Sequence, residues 1–145
     1  MGARSGPYRR ARCIIRPMRR APATLPLIDS HGWLCEARHC PSPNFDARPE
    51  TAIDLLVIHN ISLPPGRFGT GLPEQLFTNS LDCTAHAELR DLEGLRVSAH
   101  VLIDRWGRLR QFVSFADRAW HAGASCFEAR TSCNDFSIGI ALEGT

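Results

Sequence analysis

The most apolar stretch of the chain is Leu55-Leu56-Val57-Ile58, preceded by Ile53-Asp54 and ended by His59-Asn60. An unbroken run of branched side chains predicts a central strand covered on both faces. His59 falls at its C-terminal end, where α/β sheets place their sites. Pro64-Pro65-Gly66 then turns the chain out into a loop. Pro73 suits a first helical turn and opens a short helix carrying Leu76 and Phe77. A second helix is expected over residues 85–93, with Leu89 and Leu92 three apart and Gly94 as its stop. Residues 97–113 read as a hairpin: Val101-Leu102-Ile103 enters the turn Asp104-Arg105-Trp106-Gly107, and 109–113 returns. A last strand is expected over 136–142, with Glu143-Gly144-Thr145 directly after it. A domain ending there leaves one side of its core under-packed, so an incomplete domain is expected.

Ahead of the first strand the pattern fades. Residues 1–30 lack hydrophobic periodicity beyond Ile14-Ile15 and read as a disordered extension, with the domain expected over 31–145. Residues 41–50 hold Pro41, Pro43 and Pro49 and read as an irregular surface loop. The 10 Pro and 11 Gly favour turns over long helices. A chain of 145 residues suffices for one domain with a real core.

Charge sharpens the division between arm and body. All 17 basic residues are Arg, and seven of them (4, 9, 10, 12, 16, 19 and 20) precede the first acid. The remaining 10 Arg face 15 acids, so the body from residue 21 carries −5 despite a whole-chain charge of +2. A polybasic arm could meet nucleic acid or an anionic membrane surface. An extension without a specific partner is the simpler reading, and neither nucleic acid nor membrane is expected as a partner. Arg19-Arg20 is followed by no continuous apolar stretch of the kind a secretory signal needs. No segment reaches the ~18 apolar residues of a membrane span. The six cysteines (13, 35, 40, 83, 126 and 133) have irregular spacing and no C-x-x-C pair, and read as reduced thiols of a cytoplasmic protein.

Single residues say little about chemistry. There is no H-E-x-x-H, no histidine pair at helical spacing, and no phosphate-cradling loop. His100 starts a predicted strand and His121 lies in a Trp-His-Ala-Gly turn. Either could meet His59 in space, and a nucleophilic pair of Cys133 with His121 can also be constructed.

Blocks of sequence say more. Residues 57–66, Val-Ile-His-Asn-Ile-Ser-Leu-Pro-Pro-Gly, closely resemble a segment of the anhydro-N-acetylmuramyl-L-alanine amidases, members of N-acetylmuramoyl-L-alanine amidase family 2. So do Leu76-Phe77-Thr78, residues 95–100, residues 118–123, and the block Cys133-Asn134-Asp135-Phe136-Ser137-Ile138-Gly139-Ile140. The order holds from Gly32-Trp33 to Thr145. The resemblance implies an α/β fold with a mixed central β-sheet flanked by helices, as in peptidoglycan-recognition proteins. It implies a monomeric hydrolase of cytoplasmic cell-wall recycling that cuts the amide between anhydro-N-acetylmuramic acid and L-alanine of a muropeptide. It also implies one Zn²⁺ held by two His and one Asp, with a fourth position for water. His59 matches the first ligand; the others, with a Lys that supports the tetrahedral intermediate, lie in the family's C-terminal part and match nothing in these residues. Asn60, Arg96, Trp120 and His121 match positions of substrate contact.

Two departures accompany the resemblance. The family's strand reads Ile-Gly-Ile-Glu-Leu-Glu-Gly-Thr, and its first Glu handles the proton of the metal-bound water. Here that position is Ala141. Glu143 should share its face about two rises, ~6–7 Å, farther along, a poor place for a replacement base. An Arg that the family carries before the Cys-Asn-Asp block is Ser132 here. The expectation is therefore an amidase whose activity in this chain is weak or lost, with a non-catalytic peptidoglycan-fragment-binding module as the alternative.

Overall fold

A computed structural model describes residues 27–145; the Arg-rich stretch before Leu27, expected to be a disordered extension, lies outside the described residues. Five of the described strands make one mixed sheet: β1 (Arg38–His39), β3 (Leu55–Ile61), β4 (Val101–Ile103), β5 (Leu109–Gln111) and β9 (Ser137–Glu143), in the order β1-β5-β4-β9-β3. Two-stranded pairs flank it, β2 (Phe45–Ala47) with β6 (Asp117–Ala119), and β7 (Cys126–Phe127) with β8 (Arg130–Thr131). The single α-helix among the described residues, α1 (Leu72–Phe77), follows β3, with Pro73 in its first turn as expected.

β3 runs parallel beside β9, with His59 opposite Ala141 and Ile61 opposite Glu143. β4 runs parallel to β9 on its other side, placing Leu102 opposite Ala141. The hairpin of β4 and β5 is antiparallel, and Asp104 closes its turn by accepting the backbone N–H groups of Trp106 and Arg108. One face of the sheet is the core. Leu102 and Ala141 pack there with Leu76 and Phe77 of α1, Leu89, Ala99, Phe112, Val113 and Ala119. The Phe77 ring meets Phe112 edge-on, with centroids 5.1 Å apart.

Three expectations need correction. The Leu55–Ile58 run does not form a strand covered on both faces. Among the described residues β3 is the outer strand, and Leu56 and Ile58 are 57% and 52% exposed. β9 is instead an interior strand, with parallel partners on both edges. The second helix is a 3₁₀ segment, Ala87–Leu92, closed by i→i+3 bonds such as Leu89 N–H to His86 O, with Leu89 completely buried and Gly94 ending it at φ 76°. Six residues with one deeply buried anchor do not sustain the longer α form.

The proline-rich stretch 41–50 is not simply a surface loop. It contains β2, and Ser42 and Asn44 are 3% and 1% exposed. The Asn44 amide donates to Val97 O at 2.7 Å and to Asn79 Oδ1 at 2.9 Å, and accepts from Asn79 Nδ2 at 3.0 Å. Its backbone oxygen accepts from Ser98 Oγ at 2.8 Å. A buried amide with its polar atoms engaged is stable where an unpaired one is costly. Asn44 thereby ties the end of α1 and the approach to β4 to the segment before Trp120.

Candidate active site

The site grows from the parallel β3–β9 pair. Side chains alternate along a strand, so His59 and Ala141, opposite each other in register, point to the same face. Both line a cavity of about 180 Å³ with Asn60, Phe77, Val97, Ser98 and His121. A larger, more open groove of about 470 Å³ lies on the other side of the same histidines, between β3 and Ala122, Ser125, Phe127 and Cys133. His59 and His121 thus stand where the two spaces meet.

The two imidazoles touch. His59 Nε2 lies 3.0 Å from His121 Nδ1, with the rings at 71°. His121 Nε2 is 3.1 Å from Ser137 Oγ, and Ser137 donates its own hydrogen to Cys133 O at 2.5 Å. Its proton so engaged, Ser137 can only accept from His121, which places the His121 proton on Nε2 and leaves Nδ1 as the acceptor for His59 Nε2–H. With both ring nitrogens of His121 committed, none remains to activate Cys133, and the constructed Cys–His pair is not formed. The five described cysteines are all free thiols.

A third histidine supports the second. The completely buried His100 accepts the Gly139 N–H on Nδ1 at 3.0 Å, so its Nε2–H faces Asp117 O at 3.2 Å. Arg48 Nη2, 3.1 Å from that same nitrogen, donates instead to Asp117 O at 2.6 Å. Burial, reinforced by the Arg48 charge, pushes His100 down to about 4. Burial, with His100 and His59 nearby, pushes His121 down to about 3. Burial also lowers His59. At neutral pH the site is therefore a set of neutral imidazoles, the form that donates lone pairs.

Other expected site residues are placed less uniformly. Asn60 lines the smaller cavity. Arg96 is exposed and bonds the carbonyl of Leu95, and it lines neither space. Trp120 is half-buried, its backbone N–H held by Ser98 Oγ at 3.0 Å, and it too is outside both linings. Glu143 shares the face of Ala141 but is bound elsewhere: its carboxylate accepts the N–H groups of Gly69 at 2.6 Å and Arg105 at 3.3 Å, fastening the loop after β3 to the β4–β5 turn.

Several residues that shape the site were not singled out from the sequence. Asn134 Oδ1 accepts the backbone N–H groups of His121 and Ala122 at 3.2 and 2.9 Å. Gly139 lies under His121: a Cβ there would come within 2.4 Å of the ring. A lone glycine inside a strand pattern is the available sign of such a close approach.

The expected zinc can be tested against these donors. Among the described residues no group of three His, Cys, Asp or Glu could hold a metal ion. A catalytic zinc takes three protein donors. His59 and His121 offer two imidazoles, already bonded to each other, so the described residues alone do not fit a complete zinc site.

Comparison with known proteins places this geometry. Residues 49–145 match the family model described as N-acetylmuramoyl-L-alanine amidase. The chain is 55% identical over 120 residues to the 1,6-anhydro-N-acetylmuramyl-L-alanine amidase AmpD of Escherichia coli K12, covering 82% of this chain and 66% of that protein. It is 56% identical over 120 residues to AmpD of Citrobacter freundii, covering 82% and 64%. A crystal structure of a selenomethionine AmpD derivative aligns with a TM-score of 0.79 at 55% identity, over 82% of this chain and 66% of that one. The solution structure of Citrobacter freundii AmpD aligns at 0.54 with 55% identity, over 82% and 64%. The chain spans slightly less than two thirds of the length of these relatives. By the family model and by the fold, this chain belongs to the N-acetylmuramoyl-L-alanine amidase family.

Proposed function

We propose that the chain carries the substrate-facing part of a zinc-dependent amidase that opens the amide between anhydro-N-acetylmuramic acid and L-alanine during peptidoglycan recycling, and that hydrolysis by this chain is weak or absent because of Ala141. The supporting observation is the register of His59 against Ala141 on the floor of one cavity, at the junction with a second. An amide joining a sugar to a peptide has a different group on each side, and two spaces meeting at His59 suit that arrangement.

His59 would be one donor to such a zinc, and the described residues do not bring three donors together. A zinc bound there would supply a water of lowered pKa and a Lewis acid for the scissile carbonyl. The residues present do the rest of what can be derived. Asn60 lines the smaller space, His121 lines both, and Trp120 directly precedes His121 in the chain. Arg96, exposed and lining neither space, would have to swing past the wall residue Val97 for its guanidinium to meet a peptide carboxylate. The monomeric, cytosolic setting expected above belongs to the same reading.

One observation favours a second reading, a module that binds peptidoglycan fragments without cleaving them. The Ala141 methyl accepts no proton, and Glu143 on the same face is engaged by two backbone N–H groups.

The test is a fusion of residues 1–145 to the C-terminal part of Escherichia coli AmpD, titrated with zinc and assayed on an anhydro-muropeptide. With Ala141→Glu, the fusion should bind one zinc per chain and release the peptide from the anhydro-sugar; His59→Ala should abolish both. A fusion that neither binds zinc nor cleaves would overturn the amidase reading.

A further inference from the structure

The block from Cys133 to Gly139 stands out in the sequence, yet none of its residues has a part in the reaction proposed above. In the structure three of them converge on His121. Asn134 Oδ1 accepts the backbone N–H groups of His121 and Ala122, at 3.2 and 2.9 Å. Ser137, completely buried, meets His121 Nε2 at 3.1 Å while its hydrogen is committed to Cys133 O. Gly139 leaves the space in which the ring lies, since a Cβ there would sit 2.4 Å from Cγ. The same Gly139 donates its N–H to His100, and the His100 ring stands 5.8 Å from that of His121, closing the seat from below.

Each contact controls a different freedom. Asn134 sets where the backbone of residue 121 stands. Gly139 sets where the ring rests. Ser137, able only to accept at that ring, sets which nitrogen carries the hydrogen. Nδ1 is then left facing His59 Nε2 at 3.0 Å, at the junction of the two cavities.

We propose that the 133–139 block is a seat for His121, and that His121 is a positioning residue that presents a fixed acceptor nitrogen to His59. The inference deepens the amidase reading in that it gives His121 a task at the proposed site. It rests on that reading only for the importance of His59, and its test is read without turnover.

The test is ¹⁵N NMR of the imidazole rings in the uniformly labelled 1–145 chain at neutral pH. The wild-type chain should show His121 as the Nε2–H tautomer, with a through-hydrogen-bond N–N correlation between His59 Nε2 and His121 Nδ1. Ser137→Ala should leave backbone amide shifts away from the site in place, while His121 becomes a tautomer mixture and the correlation weakens or vanishes. Asn134→Ala should weaken the correlation and Asn134→Asp, which keeps the acceptor oxygen, should restore it. Gly139→Ala should displace the ring; should that variant not fold, the Ser137 and Asn134 variants carry the test. A wild-type His121 in the Nδ1–H tautomer, or imidazole signals unchanged by Ser137→Ala, would overturn the proposal. Loss of amidase activity in the fusion would leave these signals as they are, so the two readings fail separately.

Discussion

At the scale of single residues, the site depends on groups kept uncharged and closely fitted. His100 and His121 have folded pKa values of about 4 and about 3, below the usual 6.5 of an exposed imidazole. Between those limits the unfolded chain binds more protons than the folded one, so stability rises with pH there. Their contribution is complete above about pH 6.5 and is lost as pH falls toward the folded values. By pH 5 the loss is roughly 2 kcal/mol per histidine. Urea unfolding at pH 7 and pH 5 checks this, and a midpoint equal at both values would contradict it. The fit under His121 gives a second prediction. Gly139→Ala forces a methyl into the ring and should cost about 1–3 kcal/mol, read by the same unfolding experiment. A variant as stable as the parent would mean that the ring has room to spare.

At the scale of elements, local pattern and tertiary partnership carry different information. The β4–β5 hairpin, α1 starting around Pro73, and β9 were all legible, because turn chemistry, proline placement and apolar runs act over a few residues. The position of β3 was not. A continuous apolar run fits a strand with either one or two neighbours, and only pairing decides between them. β2 was missed because prolines dominate its surroundings, while the residue that organises the segment, Asn44, is polar and gives no periodic signal. Its partners are 35 and 53 positions away. Asn44→Ala should therefore release α1, β2 and the 97–98 segment from one another and cost about 1–3 kcal/mol. Hydrogen exchange should show faster opening at Ser98 and Trp120, whose backbone N–H groups are held at this junction; unchanged protection there would contradict the role given to Asn44.

At the scale of the whole molecule, the family was legible before the fold, since blocks of residues in fixed order identify what single histidines do not. His59 is at the expected end of β3, with His121 brought to it from 62 positions away. What lay beyond the sequence was the arrangement behind them: a glycine, a serine and an asparagine that each act on His121 through space. The structure adds that Glu143 holds two loops, which leaves, among the described residues, no acid on that face near His59 to take the place of the one Ala141 lacks. The account therefore turns on Ala141. The most direct test compares the turnover of anhydro-muropeptide by the AmpD fusion carrying Ala141 with that of the same fusion carrying Ala141→Glu, at saturating zinc. A positioned acid–base group is worth about 10²–10⁴ in rate, and the Ala141→Glu fusion should be faster by that factor with zinc affinity little changed. Equal turnover by the two fusions would contradict the account.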